Sequence, residues 1–103
     1  MSEQILIIED ETAIQSILSE LLTDAGYNIE VAGDGLEGIT KFRERLFSLV
    51  LLDIMMPKID GYTVCEMIRQ ESTQTYIVSE EKFPFQTLEL ERPTQQLEQS
   101  YRV

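Results

Sequence analysis

Two short, continuous apolar runs, each followed by acidic residues, constrain the fold of this 103-residue chain more than any other feature. The first run spans residues 5–8 and is followed by Glu9 and Asp10. The second spans residues 49–52 and is followed by Asp53. Runs of this kind are typical of strands that are buried on both faces of a parallel sheet. Because adjacent parallel strands end at one edge of the sheet, where open α/β sheets bind ligands, we expect the three acids to meet there.

The apolar spacing elsewhere alternates between helix and strand. In order, the predicted elements are a strand at 5–8, a helix at 14–25, a strand at 29–32, a helix at 36–46, a strand at 49–52 and a third helix after residue 60. Gly26 is expected to end the first helix with a positive φ, and Asp60 to cap the third. Strands alternating with helices indicate βαβ units, and hence an α/β fold with a parallel sheet and right-handed crossovers.

The pattern changes after Glu71, so we divide the chain into a core at 1–71 and a divergent segment at 72–103 of the same domain. Residues 75–79 could form a fourth strand, and 86–91 alternates like an edge strand. Too few residues separate them for a parallel crossover, which leaves an antiparallel hairpin or an unstructured tail. Pro93 favours a short last helix, with Leu97 and Tyr101 on one face.

The composition excludes some partners. Nineteen acidic residues against eight basic ones give a net charge of −11, which argues against binding to nucleic acid or to an anionic membrane. The single cysteine, Cys65, permits no intrachain disulfide and is expected to be a small buried hydrophobe. The sequence contains no signal-peptide pattern and no apolar run long enough to span a bilayer, so a cytoplasmic location is expected.

Three converging carboxylates repel one another and require a cation, for which magnesium is the best match. Asp10 and Asp53 are hard oxygen ligands, and Glu9 could hold a metal-bound water. A carboxylate beside a bound cation can also attack phosphorus and form an aspartyl phosphate. The plain alternatives are a capping aspartate at a strand end and a solvated acidic run.

Several segments resemble the receiver domain of bacterial two-component response regulators. These are residues 5–11 and 51–61 with the spacing between them, Gly26-Tyr27, and residues 32–35; the resemblance covers about residues 3–71. It implies a flavodoxin-like, doubly wound parallel sheet. Because the chain is too short for a complete receiver, we expect that sheet to be incomplete or rearranged after the third helix.

The resemblance also implies the roles of the acids. Asp53 would accept a phosphoryl group from a phosphohistidine on a sensor histidine kinase. Magnesium would be bound by Asp10, Asp53 and the backbone carbonyl of Met55, with Glu9 acting through water.

The family's phosphate-contacting residues match less well. A Ser or Thr at the end of strand four corresponds in position to Ser79, for which an ordinary polar role is equally plausible. A Lys followed by Pro at the end of strand five has a parallel in Lys82, but Lys82 comes far too early, and we favour an accidental likeness.

The expected function is therefore a phospho-acceptor that assists its own phosphoryl transfer, rather than an enzyme acting on a diffusing substrate. One alternative is a degenerate receiver that serves as a binding module or phosphate sink without switching output. Another is a magnesium-dependent phosphohydrolase, which would need a second acid where Met55 stands. Helices missing from a parallel sheet would leave apolar surface uncovered, which favours a homodimer through the C-terminal segment.

Overall fold

The computed structural model describes residues 3–53, 56, 60–72, 74–81 and 87–92. The elements are β1 (Gln4–Ile8), α1 (Thr12–Asp24), β2 (Asn28–Ala32), α2 (Gly35–Glu44), β3 (Leu49–Asp53), α3 (Gly61–Glu71), β4 (Tyr76–Glu81) and β5 (Thr87–Glu91). They form a sheet of order β2-β1-β3-β4-β5, in which the first four strands are parallel and β5 is antiparallel to β4. The α/β prediction, with a sheet rearranged after the third helix, is confirmed.

The ends of the helices follow local chemistry. Gly26, with φ of 100°, follows α1 as predicted. Asp34 caps α2 by accepting from the Glu37 backbone N–H at 2.8 Å, and Glu37 in turn accepts from the Gly33 N–H at 2.7 Å. Asp60 caps α3 by accepting from the Thr63 N–H at 2.9 Å, as the sequence predicts.

The second helix differs in one detail from the prediction. The expected apolar stripe includes Leu36 and Leu46, but these side chains are 64% and 76% exposed. Leu46 lies beyond the end of α2, because the backbone at Arg45 is already extended. The inward side of α2 is formed instead by Ile39 and Phe42.

The strand registers define two faces of the sheet. On one face, Leu6, Val50 and Ile77 form a row, and Ile8 aligns with Leu52. We call this the covered face, because α2 and α3 pack on it. On the other face, one row holds Ile5, Leu49 and Tyr76, and the next holds Ile7, Leu51, Val78 and Leu90. We call this the open face; α1 lies on it.

The covered face carries the main hydrophobic core. Its members, all buried, are Leu6, Ile8, Ala32, Ile39, Phe42, Phe47, Val50, Leu52, Met56, Val64, Ile68 and Ile77, with Cys65 partly buried against them. Helix α2 approaches so closely that a Cβ on Gly38 would lie 2.5 Å from Ile8 Cδ1. A bifurcated hydrogen bond from Arg43 Nε to both carboxylate oxygens of Glu71, at 2.9 and 3.0 Å, joins α2 to α3. The hydrogen bond to Glu71 and the negative charge of Glu71 raise the pKa of Arg43.

The open face is only partly covered. Helix α1 packs chiefly on β1 and β2 and contains no fully buried residue. Ile17 and Leu21 on α1 are 58% and 62% exposed, and Leu90 on β5 is 53% exposed. A groove therefore runs over the remaining strands, with a cavity of about 570 Å³ at the lower, N-terminal edge of β1 and β3. That cavity is lined by Glu3, Ile5, Leu22, Tyr27, Ser48, Leu49, Tyr76, Val78 and Leu90.

Within the described residues, none of the helices combines the length and apolar character needed to cross a bilayer. The predicted last helix, with Pro93, Leu97 and Tyr101, lies outside the described residues. The homodimer through that segment and the division of the chain at residue 71 stay predictions.

Candidate functional site

The acidic site forms where β1 and β3 end side by side. Ile8 is in register with Leu52, so the residues that come next, Glu9 and Asp53, lie side by side at the edge of the sheet. Carboxylate oxygens of Glu9, Asp10 and Asp53 all lie within 4.8 Å of one another. The three acids thus lie together at the C-terminal ends of β1 and β3, as predicted.

Two of the acids are almost completely buried. Glu9 and Asp53 are each 3% exposed, whereas Asp10 is exposed. Burial lowers the effective dielectric, so the mutual repulsion of these carboxylates is less screened than at the surface. A cation bound on the solvent side of the group, where Asp10 is exposed, would relieve this repulsion.

Backbone contacts fix the loop between β1 and α1. The Glu9 N–H donates to the Ala32 carbonyl at 3.0 Å, which ties the loop to β2. The Glu11 N–H donates to Glu9 Oε2 at 3.2 Å, and Gln15 Nε2 on α1 donates to the Glu9 carbonyl. Gln15 was not singled out from the sequence; its position one turn into the helix after the acids was the available signal.

The carboxylate oxygens of Glu9, Asp10 and Asp53 are suitable ligands for a hard divalent cation. Magnesium prefers oxygen ligands, keeps several waters and is commonly bound through one or two carboxylates plus phosphate oxygens. The group of three carboxylates, two buried and one exposed, supplies such ligands, and water and phosphate oxygens would complete the coordination. The backbone carbonyl of Met55, also expected to bind the metal, lies outside the described residues.

Under the acids the open face contributes a smaller cavity of about 170 Å³. Glu9 and Asp53 bound it at the top, and its remaining lining is apolar: Ile7, Ile8, Leu18, Leu51, Leu52 and Val78. The acidic site therefore borders apolar side chains of the open face.

The two residues expected to contact phosphate have different outcomes. Ser79 lies half-buried in β4, in register with Leu52, one residue before the position opposite Asp53. The backbone directly opposite Asp53 belongs to Glu80, which was not singled out from the sequence. Counting along the predicted fourth strand was the only available signal for it. Lys82 lies outside the described residues.

Comparison with known proteins gives a consistent family. The family model described as the response regulator receiver domain matches residues 5–89. A protein of Pyropia yezoensis named "Probable transcriptional regulator ycf27" is 49% identical over 70 residues, covering 68% of this chain and 29% of that protein. The transcriptional regulatory protein DltR of Streptococcus agalactiae is 39% identical over 75 residues, covering 73% and 34%. The chain thus spans about a third or less of the length of these curated relatives.

Solved structures agree. A CheY-like receiver domain from Methanospirillum hungatei superimposes with a TM-score of 0.79 at 28% identity, covering 81% of this chain and 66% of that one. The response regulator TrrA of Thermotoga maritima, solved with Mg²⁺-BeF, gives 0.75 at 35% identity, covering 80% and 71%. TrrA in complex with the histidine kinase ThkA gives 0.71 at 38% identity, covering 75% and 66%. The family match extends past residue 71 into β5, and the chain therefore belongs to the response regulator receiver domain family of two-component systems.

Proposed function

We propose that this receiver domain accepts a phosphoryl group on Asp53 from a phosphohistidine of a sensor histidine kinase. The observation that carries the proposal is the convergence of Glu9, Asp10 and Asp53 within 4.8 Å at the end of the parallel strands. Likeness to TrrA supports it, since TrrA has been solved both with Mg²⁺-BeF and in complex with a histidine kinase.

Asp53 supplies the nucleophile. One of its carboxylate oxygens attacks phosphorus while the bond from phosphorus to the imidazole nitrogen of the donor breaks, and the electron pair remains on that nitrogen. Because Asp53 is anchored at the end of a central strand, its carboxylate has little freedom, which favours an in-line approach.

Asp10 and Asp53 would bind Mg²⁺ directly, and Glu9 would act through a bound water, with the Met55 carbonyl as a further ligand. When bound, the ion neutralises charge on the transferring phosphoryl group. Ser79 is a proposed contact to the phosphate, and Lys82 a weaker one.

Incubation with acetyl phosphate and Mg²⁺, followed by intact mass measurement, tests the proposal. We expect one phosphoryl adduct, lost in Asp53→Asn and strongly reduced in Asp10→Asn. Asp34→Asn is the matched control, because Asn caps a helix about as well as Asp and this residue lies outside the acidic site. An adduct that persists in Asp53→Asn would refute the assignment, and steady release of phosphate from free phosphoesters would favour the phosphohydrolase.

The degenerate receiver shares this chemistry and differs only in how the fold responds to phosphorylation. We propose that phosphorylation leaves the usual switch impaired, because β5 runs antiparallel where a parallel fifth strand is expected of a receiver. Titration with beryllium fluoride, followed by NMR, distinguishes the two. Shifts confined to the acidic site support impaired switching, and large shifts across β4 and β5 contradict it.

A further inference from the structure

We propose that Gln15 is a positioning residue, whose side-chain amide holds the peptide that joins Glu9 to Asp10 and so directs Asp10 within the acidic site. The effect on magnesium binding rests on the proposed function, whereas the contact itself does not. Three observations carry the inference: the unequal burial of the acids, the hydrogen bonds of the loop after β1, and the place of Gln15 between that loop and the β2–α2 turn.

The three acids differ in how firmly their surroundings hold them. Glu9 and Asp53 are each 3% exposed, and Asp53 ends the central strand of the sheet, so packing restrains both side chains. Asp10 is exposed and lies beyond the end of β1. Packing therefore does little to hold Asp10, and the direction of its side chain depends on the backbone that bears it.

Successive peptide groups of the loop after β1 are each held by a different partner. The Glu9 N–H donates to the Ala32 carbonyl at 3.0 Å, and the Glu11 N–H donates to Glu9 Oε2 at 3.2 Å. Between them lies the peptide from Glu9 to Asp10, whose carbonyl accepts from Gln15 Nε2. Of these three contacts, the one from Gln15 alone can be removed without altering a carboxylate or the main chain.

Gln15 reaches this loop from the first turns of α1. Its backbone N–H donates to the Glu11 carbonyl at 3.0 Å, while its side chain extends back to the end of β1. Gln15 is half-buried against the β2–α2 turn, since a Cβ on Gly33 would lie 3.9 Å from Gln15 Nε2. That turn is itself tied to α2, because the Gly33 N–H donates to Glu37 Oε1 at 2.7 Å. Solvent therefore screens the bond to Glu9 less than it would on an open surface, and the bond can restrict the orientation of the peptide.

Without the Gln15 amide, the peptide from Glu9 to Asp10 is freer to rotate, and Asp10 must be ordered when a metal binds. Outer groups that orient metal ligands commonly contribute roughly 10–100-fold to metal affinity. Gln15 orients its ligand through the backbone rather than through a carboxylate oxygen, so we expect the lower end of that range, about tenfold. The chemical step at Asp53 should change little once Mg²⁺ is bound, because β3 holds that residue.

Two NMR measurements on the metal-free chain test the contact. In the parent, the side-chain nitrogen of Gln15 should show a scalar coupling to the carbonyl carbon of Glu9 across the hydrogen bond. Gln15→Met, which keeps a side chain of similar length without a donor, should shift the amide nitrogen resonance of Asp10. Gln70→Met, the same change at an exposed position of α3, should leave that resonance where it is. A parent without the coupling, or an unshifted Asp10 amide in Gln15→Met, would overturn the proposal.

Magnesium titration tests the consequence for the site. Gln15→Met should raise the Kd for Mg²⁺, measured by NMR shifts, about tenfold, while Gln70→Met should match the parent. With acetyl phosphate as donor, the Mg²⁺ concentration that gives half the maximal rate should rise equally, and the rate at saturating Mg²⁺ should stay within about twofold of the parent. Gln15→Asn, whose amide is shorter by one methylene, should behave like Gln15→Met and replaces it if that variant fails to fold.

The outcomes distinguish the positioning role from the proposed function. Parent-like Mg²⁺ affinity in the Gln15 variants would refute the positioning role while leaving the function intact. A loss confined to the rate at saturating Mg²⁺ would refute it as well, because a general disturbance of the fold would produce that result. A parent chain that binds no Mg²⁺ would contradict the proposed function, and the metal-free measurements would still decide whether Gln15 holds the loop.

Discussion

The two faces of one sheet differ sharply in how completely they are packed. The covered face lies under α2 and α3, and the side chains of its rows are almost without exception fully buried. The open face has equally apolar rows, and among the described helices α1 alone lies on it. Ile5 and Ile7 are buried there, whereas Leu49, Leu51 and Val78 are only half-buried. Apolar sequence alone therefore does not determine burial, which also depends on where the helices pack on each face.

The largest expected effect comes from adjacent leucines in β3 that lie on opposite faces. Leu52→Ala should destabilise the protein by about 2–5 kcal/mol, because it leaves a cavity in the packed core. Leu51→Ala should cost only about 1 kcal/mol, because Leu51 is half-buried beside the groove and solvent can fill the space. Denaturant unfolding of both variants measures the difference, and equal losses would show that the open face is packed as well as the covered one.

A smaller effect is expected where the two faces meet, at the acidic edge. Asp53→Asn should raise the free energy of unfolding by about 1–2 kcal/mol without Mg²⁺ at low salt. Repulsion between unit charges 4.8 Å apart, the upper limit for this group, is roughly 3.5 kcal/mol at an effective dielectric of 20, and part of it is offset by local hydrogen bonds. Thermal unfolding with and without Mg²⁺ checks this, since the ion should stabilise the parent but hardly affect the variant.

A change in stability of similar size is expected where α2 packs against β1. Gly38→Ala should destabilise by about 1–2 kcal/mol, because overpacking against Ile8 outweighs the better helix propensity of alanine. Ser16→Ala in α1, an exposed position, should instead stabilise by a few tenths of a kcal/mol. The midpoints of urea unfolding of the two variants measure these opposite effects. If Gly38→Ala stabilised the protein, α2 would have to be able to move away from β1.

The smallest effect is expected on the outer side of α1. Ile17→Gln should change stability by less than about 0.5 kcal/mol, because this side chain is already 58% exposed. The same change at Ile39, which is buried on the covered face, should cost several times more. A large loss at Ile17 would indicate that another segment covers it, which makes this variant a second measure of the open face.

Much of the architecture could be predicted from local pattern. The apolar runs at 5–8 and 49–52 predict buried parallel strands, and with that the meeting of Glu9, Asp10 and Asp53. The shortness of 80–85 excludes a parallel fifth strand, which leaves a hairpin or a tail, and the structure shows the hairpin.

Local pattern could not predict the extent to which each apolar side chain is covered. Ile17 and Leu21 share the helical spacing of Leu18 and Leu22, yet they differ in exposure, because the neighbour that would pack on them is not set by local periodicity. Leu46 fits the stripe of α2 but lies beyond its last turn. The register that sets Glu80 rather than Ser79 opposite Asp53 depends on pairing between strands.

The antiparallel direction of β5 also bears on the order of folding. Each parallel pair must wait for a helix-containing crossover, whereas only five residues separate Glu81 from Thr87 at the closed end of the β4–β5 hairpin. A short loop closes fast and at small entropic cost. β5 can therefore form and open with β4 as a local unit while β1 and β3 remain paired. Amide hydrogen exchange should show this as faster, less cooperative exchange in β5 than in β1.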